Sequence, residues 1–289
     1  MDRHVGVLVS VALLVPVLLS AQKQTRLVFV NATDRAGAPI PDLTPADFEL
    51  TAGGVKQPVT RVTFGAPMRV VILVDASGAM QSHLNSFRQG MNAFVDAMPP
   101  EPEIAIISIT GQLGVRQAPT TDHAKLHTVI DRFASESGGN AFLDVLLEAD
   151  KRFLKNAPDR WPVFVMVTTD SGEMRGDPVI EPFNAFAQDF RIRGGSAHGI
   201  VIHGQSIGLI SQLTLNLVQN TGGIYEPLAV STAVPDKMKA LAARIAADRQ
   251  AMVSRYAVEY TADAKSTSPV SVKVPREGVT VDVSPRRPF

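Results

Sequence analysis

The chain has 289 residues, and its 28 Lys plus Arg are matched by 28 Asp plus Glu. Without a net positive field it is not built to hold nucleic acid, which is excluded as the expected partner. At 45% hydrophobic and 19% charged residues it is not a disordered chain, and its zero cysteines exclude disulfides, thiolate metal sites and cysteine nucleophiles together.

Asp2, Arg3 and His4 precede an apolar run from Val5 to Leu19, followed by Ser20, Ala21 and Gln22. That is the layout of a secretory signal peptide, residues 1–21, with cleavage near Ala21. The run is shorter than the ~20 residues of a spanning helix. No other long apolar run follows, so the processed product is expected to be secreted or periplasmic and not inserted in a membrane.

Residues 22–66 read as a small β segment. Arg26 to Val30 is strand-like, Gly37, Pro39, Pro41 and Pro45 supply turns, and two strands, Phe48 to Thr51 and Val55 to Phe64, flank Gly53-Gly54. From 67 to 252 strands and helices alternate, which predicts an α/β domain with a doubly wound, mostly parallel sheet. Val70 to Val74 has no polar interruption and suits a central strand covered on both faces. Asn85 to Met98 carries Phe87, Met91, Phe94 and Val95 at helical spacing, and Ile104 to Ile109 is the next strand, with Val115 to Ala118 a short one after it. Thr121 and Asp122 cap a helix over Ala124 to Phe133. The break SESGGN at 135–140 leads into a helix over Ala141 to Phe153, and Val163 to Val167 is again an apolar strand.

Further on, helices are expected near Phe183 to Ile192, Ile207 to Asn220 and Pro235 to Met252, with strands at Ala197 to His203 and Gly223 to Glu226. Residues 253–289 return to alternating apolar and polar positions, as half-buried antiparallel strands do. Neither flank is long enough to fold alone, so the two are expected to pair as a small antiparallel β-sandwich.

Two buried strands end in acids, Asp75 and Asp170, and Gly138-Gly139-Asn140 lies between them in sequence. In an open parallel sheet these points converge at the carboxyl edge. Oxygen ligands with no His or Cys suit a hard cation such as Mg²⁺.

On these residues the chain from Arg69 to Ala247 resembles a von Willebrand factor type A domain. That family's metal-ion-dependent adhesion site begins with D-x-S-x-S after the first strand. It continues with a threonine in a later loop, often after Gly-Gly, and ends with an aspartate after the fourth strand. Here the three parts stand as DASGAM, SGGNAFLD and VTTDSGEM. The leader VNATDRAGAPIPDLTPADFELTAGGVKQPVTRV resembles the strand-rich segment before type A domains in secreted bacterial proteins of acidobacterial type.

The resemblance implies a non-catalytic adhesion or interaction module with an unidentified protein as partner. It implies a metal set of Asp75, Ser77, Asn140 and Asp170, and partner-facing loops carrying Gly78, Gln81, Ser137, Ser171 and Glu173. The second serine is replaced by Ala79 and the threonine by Asn140. The site is therefore either a weak one for Mg²⁺ or the more tolerant Ca²⁺, or a vestigial one that binds no metal.

The rival reading is an extracellular hydrolase using Ser77, or a metal-bound water, with His203 and Asp170. Ser77 lacks the G-x-S-x-G elbow that exposes a nucleophile. Nucleotide binding fails for want of either glycine-rich phosphate motif. His123 and His127 share a helix face without the acid of H-E-x-x-H, Asp144 reads as a helix-surface charge, and Trp161 as a packing anchor.

Overall fold

The computed structural model describes residues 23–65, 67–171, 180–204, 207–263 and 269–284. The signal segment and Glu173 lie outside them. Among the described residues no helix is long and apolar enough to cross a membrane.

The α/β part is built on a six-stranded sheet. Its strands are β5 (Met68–Asp75), β6 (Glu103–Ile109), β7 (Leu113–Thr120), β8 (Trp161–Thr169), β9 (Ser196–Ile202) and β10 (Tyr225–Leu228), in the spatial order β10-β9-β8-β5-β6-β7. All neighbours are parallel except β6 and β7. Strand β7 folds back antiparallel from β6 and runs longer than the four residues expected from sequence.

The uninterrupted apolar strands are explained by two covered faces. Val70, Ile72 and Val74 of β5 pack with α1 (Leu84–Ala97), α2 (His123–Asp131) and α6 (Val234–Gln250). Val71 and Leu73 face the other way, toward α3 (Phe142–Ala149), α4 (Ile180–Ile192) and α5 (Leu209–Thr221). Strand β8 alternates in the same manner, with Val163, Val165 and Val167 on one side and Phe164 and Met166 on the other. Burying such aliphatic side chains contributes roughly 1.5–3 kcal/mol each, which is what selects valine, isoleucine and leucine at both parities.

The single helix expected over Ala141 to Phe153 is divided. The α-helix ends at Ala149, and Asp150–Leu154 forms one π turn closed by Lys155 N donating to Asp150 O at 2.8 Å. The buried Asp150 explains the widening. Its carboxylate is drawn inward to Arg193, whose Nη2 donates to both oxygens at 2.7 and 2.8 Å.

The flanks pair with each other. Strand β11 (Tyr256–Asp263) lies between β1 (Lys23–Thr33) and β4 (Val59–Phe64), and β13 (Thr280–Ser284) lies on the far side of β1, all antiparallel. A second sheet holds β12 (Val270–Lys273), β2 (Glu49–Ala52) and β3 (Val55–Gln57). Val28, Val30, Leu50, Tyr256, Val258 and Val272 share one core between the two sheets, which makes a small sandwich.

The sequence expectation of one strand from Val55 to Phe64 is corrected at Pro58. Proline cannot donate to a ladder, and the chain there leaves the β2 sheet for the β11 sheet. Phe29 of β1 reaches out of the sandwich into the α/β core, with Leu27 and Ala257 against it, so the two units share apolar surface.

Candidate functional site

From β5 the chain crosses to β6 on one side and later to β8 on the other, so the strand order reverses between β5 and β8. The crevice outside the carboxyl ends of two such strands is where an open α/β sheet presents side chains to a ligand. Asp75 ends β5, Thr168 and Thr169 end β8, and Asp170 follows them directly.

Asp75 is fully buried, and its carboxylate is held by the chain itself. Oδ1 accepts from Ser77 N at 2.8 Å, the i to i+2 bond of an Asx turn that swings the backbone off the strand. Oδ2 accepts from Thr169 N at 3.1 Å and from Thr169 Oγ1 at 2.5 Å. The loop that follows β5 is pinned from both sides. Ala76 N donates to Ile109 O at 2.8 Å, and Ala76 O accepts from Glu136 N at 2.6 Å.

The glycine-rich break arrives beside this turn. Ala141 N donates to Thr110 O at 2.8 Å, and the Glu136 side chain pairs with Arg116 of β7. Gly138 has φ of +130°, a backbone that side chains rarely adopt, and its Cα faces Gly111 N closely enough that a Cβ would stand 3.4 Å away. These bonds bury Asn140 completely and aim its Nδ2 at Thr168 Oγ1, 2.9 Å away. Thr168 Oγ1 in turn donates to Thr169 O at 2.9 Å.

Asp170 behaves differently from Asp75. Its Oδ2 accepts from Gly208 N at 2.6 Å and its Oδ1 from Ser211 N at 3.0 Å, so both oxygens are turned to the start of α5. Gly78, Gln81, Ser137 and Ser171 are exposed around this buried centre. The structure thus brings Asp75, Ser77 and Asn140 to one edge, with a rim of four of the five expected surface residues, and directs the Asp170 carboxylate to a helix. Thr168, Thr169, Gly208 and Ser211 were not singled out from sequence. The available signal was α5 opening on Gly208, a residue with no side chain to cap the helix.

The donor set can be tested against the family's cation. Ser77 Oγ and Asn140 Oδ1 are buried with no hydrogen-bond partner, the kind of oxygens a cation would complete. Against that, Ala79 brings no oxygen, Asp75 already accepts three hydrogen bonds, and Asp170 has an amide on each oxygen. Among the described residues no group of three or more His, Cys, Asp or Glu is placed to hold a metal ion. As arranged, the residues do not fit the near-octahedral oxygen shell that Mg²⁺ demands.

Other expected residues fall where bland roles put them. Asp122 N-caps α2, accepting from Lys125 N at 3.1 Å, while Asp144 is exposed and Trp161 buried. His203 Nδ1 lies 2.8 Å from Gly204 O.

Residues 70–173 match the family model for the von Willebrand factor type A domain. No curated protein sequence matches the chain. Among solved structures, a von Willebrand factor type A protein from Catenulispora acidiphila superposes with a TM-score of 0.55 at 10% identity, over 91% of this chain and 73% of that one. Proximal thread matrix protein 1 from the mussel byssus, in a form with a zinc-occupied MIDAS motif, gives 0.51 at 12% identity, over 75% of this chain and 50% of that one. At such identities the likeness is one of fold. Residues 70–173, which run from β5 into the segment after β8, thus match the von Willebrand factor type A domain family, and the fold around them is that of such a domain.

Proposed function

We propose that the protein is a secreted or periplasmic interaction module, non-catalytic, whose edge at the carboxyl ends of β5 and β8 binds a protein partner, and that its metal-ion-dependent adhesion site is degenerate. The observation that carries this reading is the contrast within that edge. Asp75, Ser77 and Asn140 are buried and fixed, while Gly78, Gln81, Ser137 and Ser171 are exposed above them. A rigid base under a polar rim can dock a partner by shape and hydrogen bonds, with no cost of ordering the loops first. Neither Mg²⁺ nor Ca²⁺ is required for that.

The non-catalytic reading is supported by the surroundings of Ser77. Its Oγ is buried with no hydrogen-bond partner, whereas a nucleophilic serine needs a base within hydrogen-bond reach and an open approach.

A photo-crosslinking amino acid placed at Gln81 or Ser137, in the protein expressed in its own cells, tests the location. Both positions should trap the same polypeptide, in the presence or absence of EDTA, while a control at the exposed Val55 of the sandwich should not. Trapping from Val55 but from neither rim position would place the binding surface elsewhere.

A further inference from the structure

Helix α5 starts without a cap of its own. The first-turn amides of any helix need acceptors from outside the helix, and the N-cap side chain usually supplies one. Here the N-cap is Gly208, which has none. Asp170 fills the gap from the end of β8, accepting from Gly208 N at 2.6 Å and Ser211 N at 3.0 Å, the latter the third residue of the first turn.

The approach depends on the missing side chain. A Cβ on residue 208 would stand 2.8 Å from Asp170 Oδ1 and 3.1 Å from its Cγ. Glycine at 208 and aspartate at 170 are therefore one feature: the first leaves room for the carboxylate that the second brings. One residue back, Thr169 puts a hydroxyl and an amide on Asp75 Oδ2. The ends of β5 and β8 and the start of α5 are joined by four hydrogen bonds to two carboxylates.

We infer that this edge is held closed by hydrogen bonds instead of by a cation, and that Asp170 is a positioning residue for α5 whose capping role excludes ligation of a divalent ion. The exclusion is electrostatic. A helix N-terminus carries the equivalent of roughly half a positive charge, so it and a divalent cation compete for one carboxylate, and bringing both to it sets like charges together. A cation that recruited Asp170 would draw its charge away from the first turn of α5 and loosen that cap. Asp75 offers no alternative anchor of equal strength, because Ser77 N, Thr169 N and Thr169 Oγ1 already share its charge.

The inference builds on the reading of this edge as cation-independent, but it can be tested without any partner. The measurement is amide hydrogen exchange at Gly208 and Ser211 in the whole protein, with and without millimolar MgCl₂ or CaCl₂, compared among wild type, Asp170→Asn and Gly208→Ala. In the wild type the two amides should exchange at the same rate whether the ions are present or not. Both variants should exchange about tenfold faster at these amides, the factor that corresponds to losing one charge-assisted hydrogen bond.

Two results would overturn the inference. One is a change of exchange at these amides when Mg²⁺ or Ca²⁺ is added to the wild type. The other is an unchanged rate in Gly208→Ala and Asp170→Asn. Should Asp170→Asn fail to fold, the wild-type comparison and Gly208→Ala decide the matter alone. A partner that binds at another surface would leave every one of these readings as it is.

Discussion

At the residue scale, Asp150 shows how the interior handles a charge it cannot hydrate. Burial pushes its carboxyl above the ordinary aspartate value of 3.8, and Arg193, through charge and hydrogen bonding, offsets part of that push. The unfolded chain therefore releases this proton at lower pH than the folded one. Stability associated with the group is present below pH 3.8 and declines as the pH rises through the raised folded value. Asp150→Asn removes the titration, so the stability of wild type relative to the variant should fall as the pH is raised from about 3 to about 6, read by urea unfolding at each pH. A difference that stays flat or rises would contradict that sign.

Residue types made part of the site visible before any coordinates. A buried strand ending in Asp75 and Ser77 is an unusual place for oxygen, and Asn140 after two glycines is another. What joins them was not visible. Thr169 reaches Asp75 across 94 positions, and Asp170 reaches Gly208 across 38, so no local pattern records either bond. Asp170 had the right type and the right strand for a cation ligand, and only the position of α5 shows where its charge is used.

At the scale of elements, Gly90 of α1 lies directly against α6. A Cβ there would stand 2.7 Å from Val234 Cγ1 and 3.2 Å from Met238 Cγ. In an exposed helix Gly→Ala is stabilising by roughly 1 kcal/mol. Here overpacking of about 1–3 kcal/mol opposes that gain. Gly90→Ala should therefore be destabilising by about 1 kcal/mol in chemical denaturation, with an unchanged m-value. A stabilised variant would mean that the two helices can move apart freely.

Elements with a strong period were legible: the amphipathic α1, the doubly buried β5 and β8, the alternating β11. Those shaped by tertiary demands were not. The π turn after α3 follows the inward pull of Arg193 on Asp150, and the break at Pro58 reflects two sheets competing for one run of strand. Both decisions are made by partners distant in sequence.

At the scale of the whole molecule, the sandwich is assembled from both ends of the chain around Tyr256. Its hydroxyl donates to Ile40 O at 2.6 Å and accepts from Leu43 N at 2.9 Å, while its ring packs on Phe48 and Phe64 with centroids 5.4 and 4.8 Å away. Tyr256→Phe keeps the ring contacts and strands a buried amide and a carbonyl. The cost should be about 1–3 kcal/mol, seen as a lower denaturation midpoint. No loss at all would mean that water replaces the hydroxyl. That the flanks had to pair followed from their length alone, since neither could bury a core. The order β13-β1-β11-β4 and the passage of Phe29 into the other core did not follow from it.

We propose that the type A fold here presents a binding edge that works without a cation. The most direct test is calorimetric titration of the protein with Mg²⁺, Mn²⁺ and Ca²⁺, beside the double variant Ala79→Ser with Asn140→Thr, which restores the hydroxyls missing from the family pattern. The account predicts no saturable binding of any of the three ions by the wild type at millimolar concentration, and none by the double variant either, because the Asp170 carboxylate stays committed to α5 in both. Saturable binding of any of these ions by the wild type would contradict it.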